Sequence, residues 1–285
     1  MSKPPVLPVA FPGAPGAYSQ EAARRFFDAT YPTLTCGSTA DAVGAVNAGR
    51  ASHAVVPVEN SITGSFAGVP EALRGSELIV VGEVDLAMRH CLLGAPGARL
   101  DEIAVVRSHP TALAQCRDWL AGWGVATRPA ADTAEAAREL SRTGDVALGV
   151  IGSGHLATMY GLDVLAEGIA DRPDNRTRFF VLGTERAEAR GENSATRSAL
   201  LLGPVSGPRA MKTLRIQLES RGATRARVPF LGSEDGAESL IEFDHPPGEG
   251  REIAESAAGA LRHRWLGSWW PDRRPAASLR RDRSA

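Results

Sequence analysis

The sequence has few cysteines and almost no net charge, and each scarcity excludes a class of protein. Three cysteines, Cys36, Cys91 and Cys116, are too few and too scattered for a disulfide framework or a zinc site, so no metal is expected. A formal net charge of −1 gives no electrostatic reason to expect nucleic acid or a membrane surface as partner. No apolar run approaches the roughly 18 residues of a membrane span, and the N-terminal segment lacks the apolar core of a signal peptide. We therefore expect a soluble, cytoplasmic protein.

What the sequence does contain is typical of a globular protein. Hydrophobic residues make up 43% of the chain and charged residues 23%, which is enough for a buried core and a solvated surface. A length of 285 residues suits two domains better than one. The basic stretch from Arg273 to Arg281 is the exception to the even charge distribution, and residues 273–285 are predicted to be a short solvated tail.

Strand-like and helix-like segments alternate through residues 1–183, the first predicted domain. Helical patterns occupy residues 19–29, 39–49, 111–123 and 132–142, and β-branched runs occupy residues 54–58, 78–84, 103–106, 146–151 and 179–182. Such alternation indicates βαβ units, so this domain is predicted to be α/β with largely parallel sheets.

A second domain is predicted after the polar, charged stretch 184–197, which we interpret as a linker. Within residues 198–272 the predicted order is strand, helix, strand, strand, helix, strand. The extended segments are 198–202, 223–230, 237–244 and 265–269, and the helices are 208–220 and 249–263. This is the order of a small α+β ferredoxin-like domain.

The first segment that could carry chemistry is a glycine-rich turn, Gly13 to Gly16, which leads into a helix. Free backbone N–H groups and the positive end of the helix dipole meet at such a turn. Ser19 could cap this helix or donate a hydrogen bond to a bound carboxylate. Taken alone, the segment is better explained as a tight strand-to-helix turn.

The second segment follows the apolar strand HAVVPV. It supplies Glu59, Asn60, Ser61 and Thr63 directly after the strand, where open α/β sheets place ligand contacts. Both donors and acceptors are present within a few residues. An ordinary turn with a helix cap is an equally good explanation of this segment in isolation.

The third segment, Arg107 to Cys116, again joins a strand to a helix. Ser108 lies where it could donate to an anion, and Gln115 follows on the first turns of the helix. His109 is given a secondary role, because no carboxylate lies close in sequence to orient it as a general base.

The fourth segment, Asp174 to Leu182, is a polar loop that enters an apolar strand. Arg178 offers a forked, permanently charged donor for a carboxylate. Thr177 has no adjacent base, so it is not an activated nucleophile of the serine–histidine kind.

Together and in this order, the segments closely resemble the prephenate dehydratase family. The matching stretches are GAPGAYSQEAA, VPVENSITGS, RHCLLG, SHPTALAQC, DTAEAA, YGLDVLAEGIAD and NRTRFFVLG. The resemblance covers residues 8–183 and includes the family's catalytic signature, Thr177-Arg178-Phe179. A collinear set is far more specific than one short motif.

The resemblance implies decarboxylative dehydration of prephenate to phenylpyruvate in L-phenylalanine biosynthesis, without a cofactor. It implies two α/β lobes of the periplasmic-binding-protein type with the site in the cleft, and a homodimer or homotetramer. By the same resemblance Thr177 assists the departing hydroxyl, and Glu59 orients donors. The residues expected to position the substrate carboxylates are Asn60, Ser61, Ser108, Gln115 and Arg178, with Ser19 and Thr63 as further substrate contacts.

Residues 198–272 resemble an ACT domain, the amino-acid sensor of this family. The family's Gly-Ala-Leu after a proline is replaced by Pro208-Arg209-Ala210-Met211, and its Glu-Ser-Arg-Pro signature is missing from residues 225–230. Arg209 places a long cation where the backbone would approach a ligand closely. A degenerate sensor with weak or lost phenylalanine binding is the prediction, as in a secondary-pathway enzyme. Sequence drift, or a change of effector, is the alternative.

Several other functions are compatible with parts of the sequence. Arogenate dehydratase is the nearest alternative, because GAYS and RHCLLG resemble plant-type arogenate enzymes. A prephenate decarboxylase is disfavoured by the intact Thr-Arg-Phe triplet. A non-catalytic binder of small anions fits the expected architecture but not that triplet. No G-x-G-x-x-G or P-loop motif supports a redox or nucleotide enzyme.

Overall fold

The computed structural model describes residues 6–66, 68–184, 196–203, 208–227, 239–259, 261–269 and 271. The predicted tail, and all of the predicted linker except Thr184, Thr196 and Arg197, lie outside these residues. No helix in the described ranges combines the length and the apolar character that crossing a membrane takes.

The first lobe is built on a mixed sheet with the strand order β2-β1-β3-β11-β5, to which β4 adds beside β3. Its strands are β1 (Val9–Pro12), β2 (Thr33–Cys36), β3 (His53–Asn60), β4 (Gly64–Ser65), β5 (Ile79–Ala87) and β11 (Arg176–Gly183); its helices are α1 (Tyr18–Phe26), α2 (Thr39–Asn47) and α3 (Gly68–Leu73). Strands β2, β1 and β3 are parallel, whereas β11 runs antiparallel to both β3 and β5.

The second lobe has the strand order β10-β6-β9-β7-β8. Its elements are β6 (His90–Gly94), a 3₁₀ turn (Leu100–Glu102), β7 (Val105–Ser108), α4 (Pro110–Gln115), α5 (Arg117–Trp123), β8 (Ala126–Pro129), α6 (Thr133–Thr143), β9 (Leu148–Ser153), α7 (Gly154–Tyr160) and β10 (Asp163–Glu167). Here β10, β6 and β9 are antiparallel, and β9, β7 and β8 are parallel.

The chain crosses between the lobes twice, from β5 to β6 and back from β10 to β11. The two crossings are hydrogen-bonded to each other, since Met88 N donates to the Asn175 carbonyl at 2.8 Å and Ile169 N donates to the His90 carbonyl at 3.2 Å. This confirms the expected two-lobed α/β arrangement. The prediction of largely parallel sheets was wrong, because strands next to each crossing, β11 in one lobe and β6 in the other, run against their neighbours.

The predicted helix 111–123 is two helices, α4 and α5, which break at Cys116 (φ −121°, ψ 20°). The carboxylate of Asp171 accepts hydrogen bonds from the N–H groups of Asp118 and Trp119, at 3.0 and 3.4 Å, and so caps α5. A carboxylate at a helix N-terminus stabilises the start of a helix there. Because Asp171 lies more than 50 positions away in sequence, local periodicity could not reveal this break.

The C-terminal domain is an antiparallel sheet covered on one face by two helices. Its elements are β12 (Arg197–Leu202), α8 (Pro208–Ser220), β13 (Thr224–Arg227), β14 (Ser239–Asp244), α9 (Gly250–Ala258) and β15 (His263–Trp269), with the strand order β13-β14-β12-β15. This topology confirms the predicted ferredoxin-like domain. Helix α8 has the predicted bounds; α9 ends earlier than predicted, at Ala258, where Gly259 has a positive φ of 53°.

The other face of this sheet packs on the first lobe. Leu201, Leu266 and Trp269 share one buried core with Val80 and Phe180, so the two domains do not have separate cores at this contact. A fully buried Trp contributes several kcal/mol, since truncation to Ala in a core typically costs about 3–5 kcal/mol.

Close approach of the two sheets requires glycine at position 267, which has a φ of 110°. A Cβ there would lie 2.8 Å from the Val80 carbonyl oxygen. The C-terminal domain is therefore seated directly against β5, the neighbour of β11.

Candidate functional site

Strand β11 carries the Thr177-Arg178-Phe179 triplet, and its alternation separates the first two side chains. Thr177 pairs with Asn60 on β3, and Arg178 pairs with Glu59. Because consecutive side chains on a strand point to opposite faces, Thr177 and Asn60 face the cleft. Arg178 and Glu59 face the C-terminal domain.

The cleft between the lobes encloses a cavity of about 460 Å³. This volume falls within the roughly 300–1,000 Å³ range of small-molecule sites. Both lobes contribute to the wall, whose residues are Gly16, Ala17, Tyr18, Asn60, Thr63, Phe66, Met88, His90, His109, Thr111, Ala112, Gln115, Asp132, Thr133, Ala134, Ser153, Leu156 and Thr177.

Asn60 fixes the hydrogen-bonding role of Thr177. Its Nδ2 donates to Thr177 Oγ1 at 2.9 Å and to Asn175 Oδ1 at 2.8 Å, while its Oδ1 accepts from the N–H groups of Ile62 and Thr63 at 2.9 and 3.0 Å. The amide is held at both ends, so it cannot turn over without losing bonds. Thr177 Oγ1 is therefore an acceptor for Asn60, and the described residues offer no acceptor for its own proton. That proton is left for a molecule in the cavity.

On the opposite wall His90 joins Tyr18 to Gln115. Its Nδ1 lies 3.1 Å from the Tyr18 hydroxyl, and its Nε2 lies 2.7 Å from Gln115 Oε1. Burial lowers the pKa of His90, and the bond to Gln115 only partly offsets this, so the ring is neutral at neutral pH. Burial raises the pKa of Tyr18 well above its ordinary value, so this phenol keeps its proton.

Ser153 lies directly opposite His90 in the β6–β9 ladder and also lines the cavity. The residue is 4% exposed, and within the described residues its hydroxyl has no hydrogen-bond partner. Leaving a buried polar group unpaired costs about 1–3 kcal/mol. A ligand in the cavity would supply the missing partner.

Asp132 is the one carboxylate on the described wall, which includes no Arg or Lys. It precedes helix α6, and its Oδ1 accepts from the N–H groups of Ala134 and Glu135 at 2.7 and 3.0 Å. The wall thus offers neutral donors, helix N-termini and one negative charge.

Of the residues predicted from the sequence, Asn60, Thr63, Gln115 and Thr177 line the cavity. The minor candidate His109 does so too, and its Nδ1 accepts from Thr111 N at 3.2 Å as the cap of α4.

Other predicted contacts lie behind the wall or outside it. Ser108 is fully buried and bonds the Ile151 carbonyl at 2.8 Å and Thr133 Oγ1 at 3.0 Å, so it supports Thr133 from behind. Ser61 bonds the backbone of Asp174 and Arg176. Ser19 is buried in α1 and does not belong to the described wall.

The expected contact of Arg178 with the substrate carboxylates does not fit its position. Its guanidinium forms two bonds to Glu242, at 2.5 and 2.7 Å, and further ion pairs with Glu59 at 3.0 Å and Glu83 at 3.4 Å. Glu59, expected to orient donors at the substrate, pairs with Arg178 on this outer face and so lies outside the cavity. The reason is the strand alternation that sends residues 177 and 178 to opposite sides. Phe179 points back into the lobe core and is 2% exposed.

Sequence reasoning missed several wall residues, notably Tyr18, His90, Asp132, Thr133 and Ser153. Each lies beside a strand end or a helix start, the positions where α/β folds gather ligand contacts. His90 is the second residue of the matching stretch RHCLLG, and Asp132 opens the stretch DTAEAA. The position of each residue beside a strand end or a helix start could therefore have marked it as a candidate.

The predicted regulatory segment begins helix α8. Arg209 is exposed and Met211 is buried in the domain core. Residues 204–207 and 228–238, which flank the predicted effector site, lie outside the described residues.

Known proteins match this chain over most of its length. The family model described as prephenate dehydratase matches residues 9–187. An Arabidopsis thaliana protein named arogenate dehydratase/prephenate dehydratase 1, chloroplastic, is 42% identical over 246 residues, which are 82% of this chain and 62% of that protein. A bifunctional chorismate mutase/prephenate dehydratase from Neisseria gonorrhoeae is 37% identical over 192 residues, 67% of this chain and 53% of its own length. The chain thus spans between half and two thirds of these two relatives.

Two solved structures cover nearly the whole chain. Prephenate dehydratase from Arthrobacter aurescens in complex with L-Phe has a TM-score of 0.77 and 26% identity, covering 95% of this chain and 94% of its own. GqqA, described as a novel type of quorum quenching acylase, has a TM-score of 0.78 and 28% identity, covering 96% and 99%. On the family match and the identity to the Arabidopsis relative, this chain belongs to the prephenate dehydratase family.

Proposed function

We propose that the protein catalyses the decarboxylative dehydration of prephenate to phenylpyruvate, a step towards L-phenylalanine. The observation that carries the proposal is the bond from Asn60 Nδ2 to Thr177 Oγ1, which leaves the threonine proton without an acceptor among the described residues. A site for this reaction must supply one such donor where the hydroxyl group departs.

The reaction breaks two bonds of the substrate ring. The bond to the ring carboxylate breaks to release carbon dioxide, and its electron pair enters the ring as the ring C–O bond breaks. The hydroxyl departs while hydrogen-bonded to Thr177 and becomes water by taking up one proton, which comes ultimately from the solvent. Thr177 assists by hydrogen-bond donation and partial proton transfer, because a threonine hydroxyl is too weak an acid to protonate the group fully. A positioned donor of this kind typically contributes about 10²–10⁴-fold in rate.

The remaining wall groups hold the substrate. Gln115, Thr133 and Ser153 offer neutral donors from the second lobe, facing Asn60 and Thr177 of the first. Closing the lobes on the substrate would exclude water and strengthen these bonds. The small-molecule substrate thus bridges the lobes. We further propose a homodimer or homotetramer located in the cytoplasm, without nucleic acid or membrane as partner.

Arogenate is the alternative substrate, and one observation favours it. Arogenate carries an ammonium group where prephenate has a keto oxygen, and Asp132 places a carboxylate on a wall that includes no described Arg or Lys. The Arabidopsis relative has both activities in its name.

We propose residues 1–183 as the catalytic domain, 184–197 as linker, 198–272 as an ACT-like sensor domain and 273–285 as a basic tail. The ferredoxin-like topology and the L-Phe named with the Arthrobacter structure support a sensor. Because Arg209 stands exposed at the start of α8, phenylalanine binding is expected to be weak or lost. Calorimetric titration with phenylalanine should give no measurable heat; tight binding would contradict this part of the proposal.

The activity is tested with purified protein supplied separately with prephenate and arogenate, following phenylpyruvate and phenylalanine. Thr177→Ala should lower kcat by about 10²–10⁴-fold, and Thr177→Ser should retain more activity because it keeps a hydroxyl. Thr143→Ala is the matched control, since among the described residues the Thr143 hydroxyl bonds the Leu140 carbonyl, outside the cleft. Absence of turnover with both substrates, in folded protein, would exclude the proposed reaction.

A further inference from the structure

The hydrogen bonds around His90 allow two self-consistent arrangements of protons, and they differ in what Gln115 presents to the cavity. In the first, His90 Nε2–H donates to Gln115 Oε1, and the Tyr18 hydroxyl donates to Nδ1 across 3.1 Å. The Gln115 NH₂ group is then directed away from His90. In the second, Nδ1–H donates to Tyr18, whose proton goes to the Arg89 carbonyl at 3.2 Å. Nε2 then accepts from Gln115, and the amide oxygen faces the opposite way.

The first arrangement suits the cavity better for an anion. Gln115 lines the cavity, its backbone carbonyl is held by Asp171 N at 2.8 Å, and its NH₂ group has no hydrogen bond to any described residue. Ser153, beside His90 across the β6–β9 ladder, adds a second group that lacks a partner. Two neighbouring donors without partners form a place for a carboxylate, whereas an amide oxygen would repel one.

We propose that His90 is a positioning residue, which holds the Gln115 amide with its NH₂ group towards the cavity so that Gln115 and Ser153 together donate to a carboxylate of the substrate. The choice of carboxylate ligand rests on the proposed function. The orientation of the amide depends on the tautomer of His90 and not on which substrate is bound. Tyr18 of the first lobe completes this arrangement. Its hydroxyl donates to Nδ1 of His90, so the ring proton lies on Nε2.

The neutral ring is needed for the bond from Tyr18, since a charged imidazole donates from both nitrogens and its Nδ1 can no longer accept the Tyr18 proton. Burial, which lowers the pKa of His90, keeps the ring neutral. Fixing an amide before the substrate arrives lowers the ordering cost of binding.

The first test needs no turnover. Long-range ¹H–¹⁵N correlation spectra of the imidazoles in the full chain report the tautomer of each histidine, and the signal lost in His90→Gln identifies His90 among the six. The neutral Nε2–H tautomer is expected. The Nδ1–H tautomer would overturn the proposal even if the enzyme were active, and it would do so independently of the reaction catalysed.

The second test compares two substitutions that each keep one of the two bonds. His90→Gln places an amide NH₂ where Nε2 stands and should retain the bond to Gln115. His90→Asn reaches only the Nδ1 position and should lose it. The expected result is a KM for the turned-over substrate within about 3-fold of wild type in the Gln variant, and raised about 10- to 100-fold in the Asn variant with kcat nearly unchanged. Ser153→Ala should raise KM in the same manner.

The control is His263→Asn, a histidine of the C-terminal domain whose Nδ1 lies 2.7 Å from the Leu261 carbonyl. It should leave KM unchanged. Equal losses in both His90 variants would show that the imidazole itself is required and would overturn a positioning role. A KM equal to that of the wild type in the His90→Asn variant would also overturn the positioning role. A lack of turnover in the wild type would instead contradict the proposed function. The tautomer measurement would then decide by itself whether His90 orients the Gln115 amide.

Discussion

Arg178 binds Glu242 of the C-terminal domain through two hydrogen bonds of 2.5 and 2.7 Å, although the residue before it faces the catalytic cleft. Both side chains are about nine-tenths buried, and Glu83 joins the same cluster together with Arg197 and the indole N–H of Trp269. The strand that carries Thr177 is therefore tied on its outer face to the second domain.

The ion pair between Arg178 and Glu242 should contribute to the stability of the folded protein. Glu242→Gln should lower the free energy of unfolding by about 1–3 kcal/mol, because it leaves the buried Arg178 charge less compensated; Glu59 and Glu83 remain to limit the loss. Chemical denaturation measures the effect. Glu255→Gln is the control, since Glu255 pairs with Arg251 on the surface, where such pairs contribute little. A loss no larger than that of the control would contradict the prediction.

The same cluster predicts a pH dependence. Burial raises the pKa of Glu83 from its ordinary value of 4.5, an effect that Arg197 and Arg178 oppose and Glu242 reinforces. Since the folded-state pKa is the higher one, the stability that Glu83 gains from its proton is fully present below pH 4.5 and lost as the pH rises through the folded-state pKa.

Glu83→Gln removes this titration. The difference in unfolding free energy between the variant and wild type should shift in favour of the variant as the pH rises above 4.5, the ordinary pKa of Glu83. Denaturation series at several pH values measure the difference. A difference that stays constant with pH would show that Glu83 is not shifted in this direction.

Asn60 should be needed for the proton of Thr177 to point into the cavity. Asn60→Asp keeps the shape but replaces the Nδ2 donor with a carboxylate oxygen, which would accept the threonine proton instead. We expect kcat to fall about 10- to 100-fold or more, as for the loss of one oriented hydrogen bond. Steady-state kinetics on the preferred substrate measure the loss. Asn47→Asp, which alters an amide bonded to Ser76 outside the cavity, should leave kcat unchanged.

Asp132 should influence the choice between prephenate and arogenate. Asp132→Asn removes the negative charge and keeps a good helix cap, since Asn and Asp cap helices about equally well. The ratio of kcat/KM for arogenate to that for prephenate should fall by roughly 5- to 50-fold, as expected for the loss of one charge contact in a partly solvated site. Both substrates are compared in the same preparation. An unchanged ratio would mean that Asp132 serves only as the cap of α6.

Much of the fold could be predicted from the sequence because its signals are local. Helix α8 has the predicted bounds, and the strand-helix order of the C-terminal domain follows from changes in hydrophobic period. The alternation of side chains along β11 could also be predicted from the sequence. It implies that the side chains of Arg178 and Thr177 lie on opposite faces of the strand. Local signals failed at Cys116, where a distant carboxylate divides one predicted helix into two.

The sequence by itself determined the family, the order of an α/β part before a ferredoxin-like part, and the threonine placed where a polar loop enters an apolar strand. Only the tertiary structure decided which groups meet: Tyr18 and Gln115 lie 72 and 25 positions from His90, yet both bond the same ring, and Arg178 meets Glu242 across 64 positions. The pattern of residues along the chain shows the hydrophobic period and the polarity of each segment. The contacts of a side chain with groups far along the chain depend on how the lobes and the second domain pack, and no local period encodes that placement.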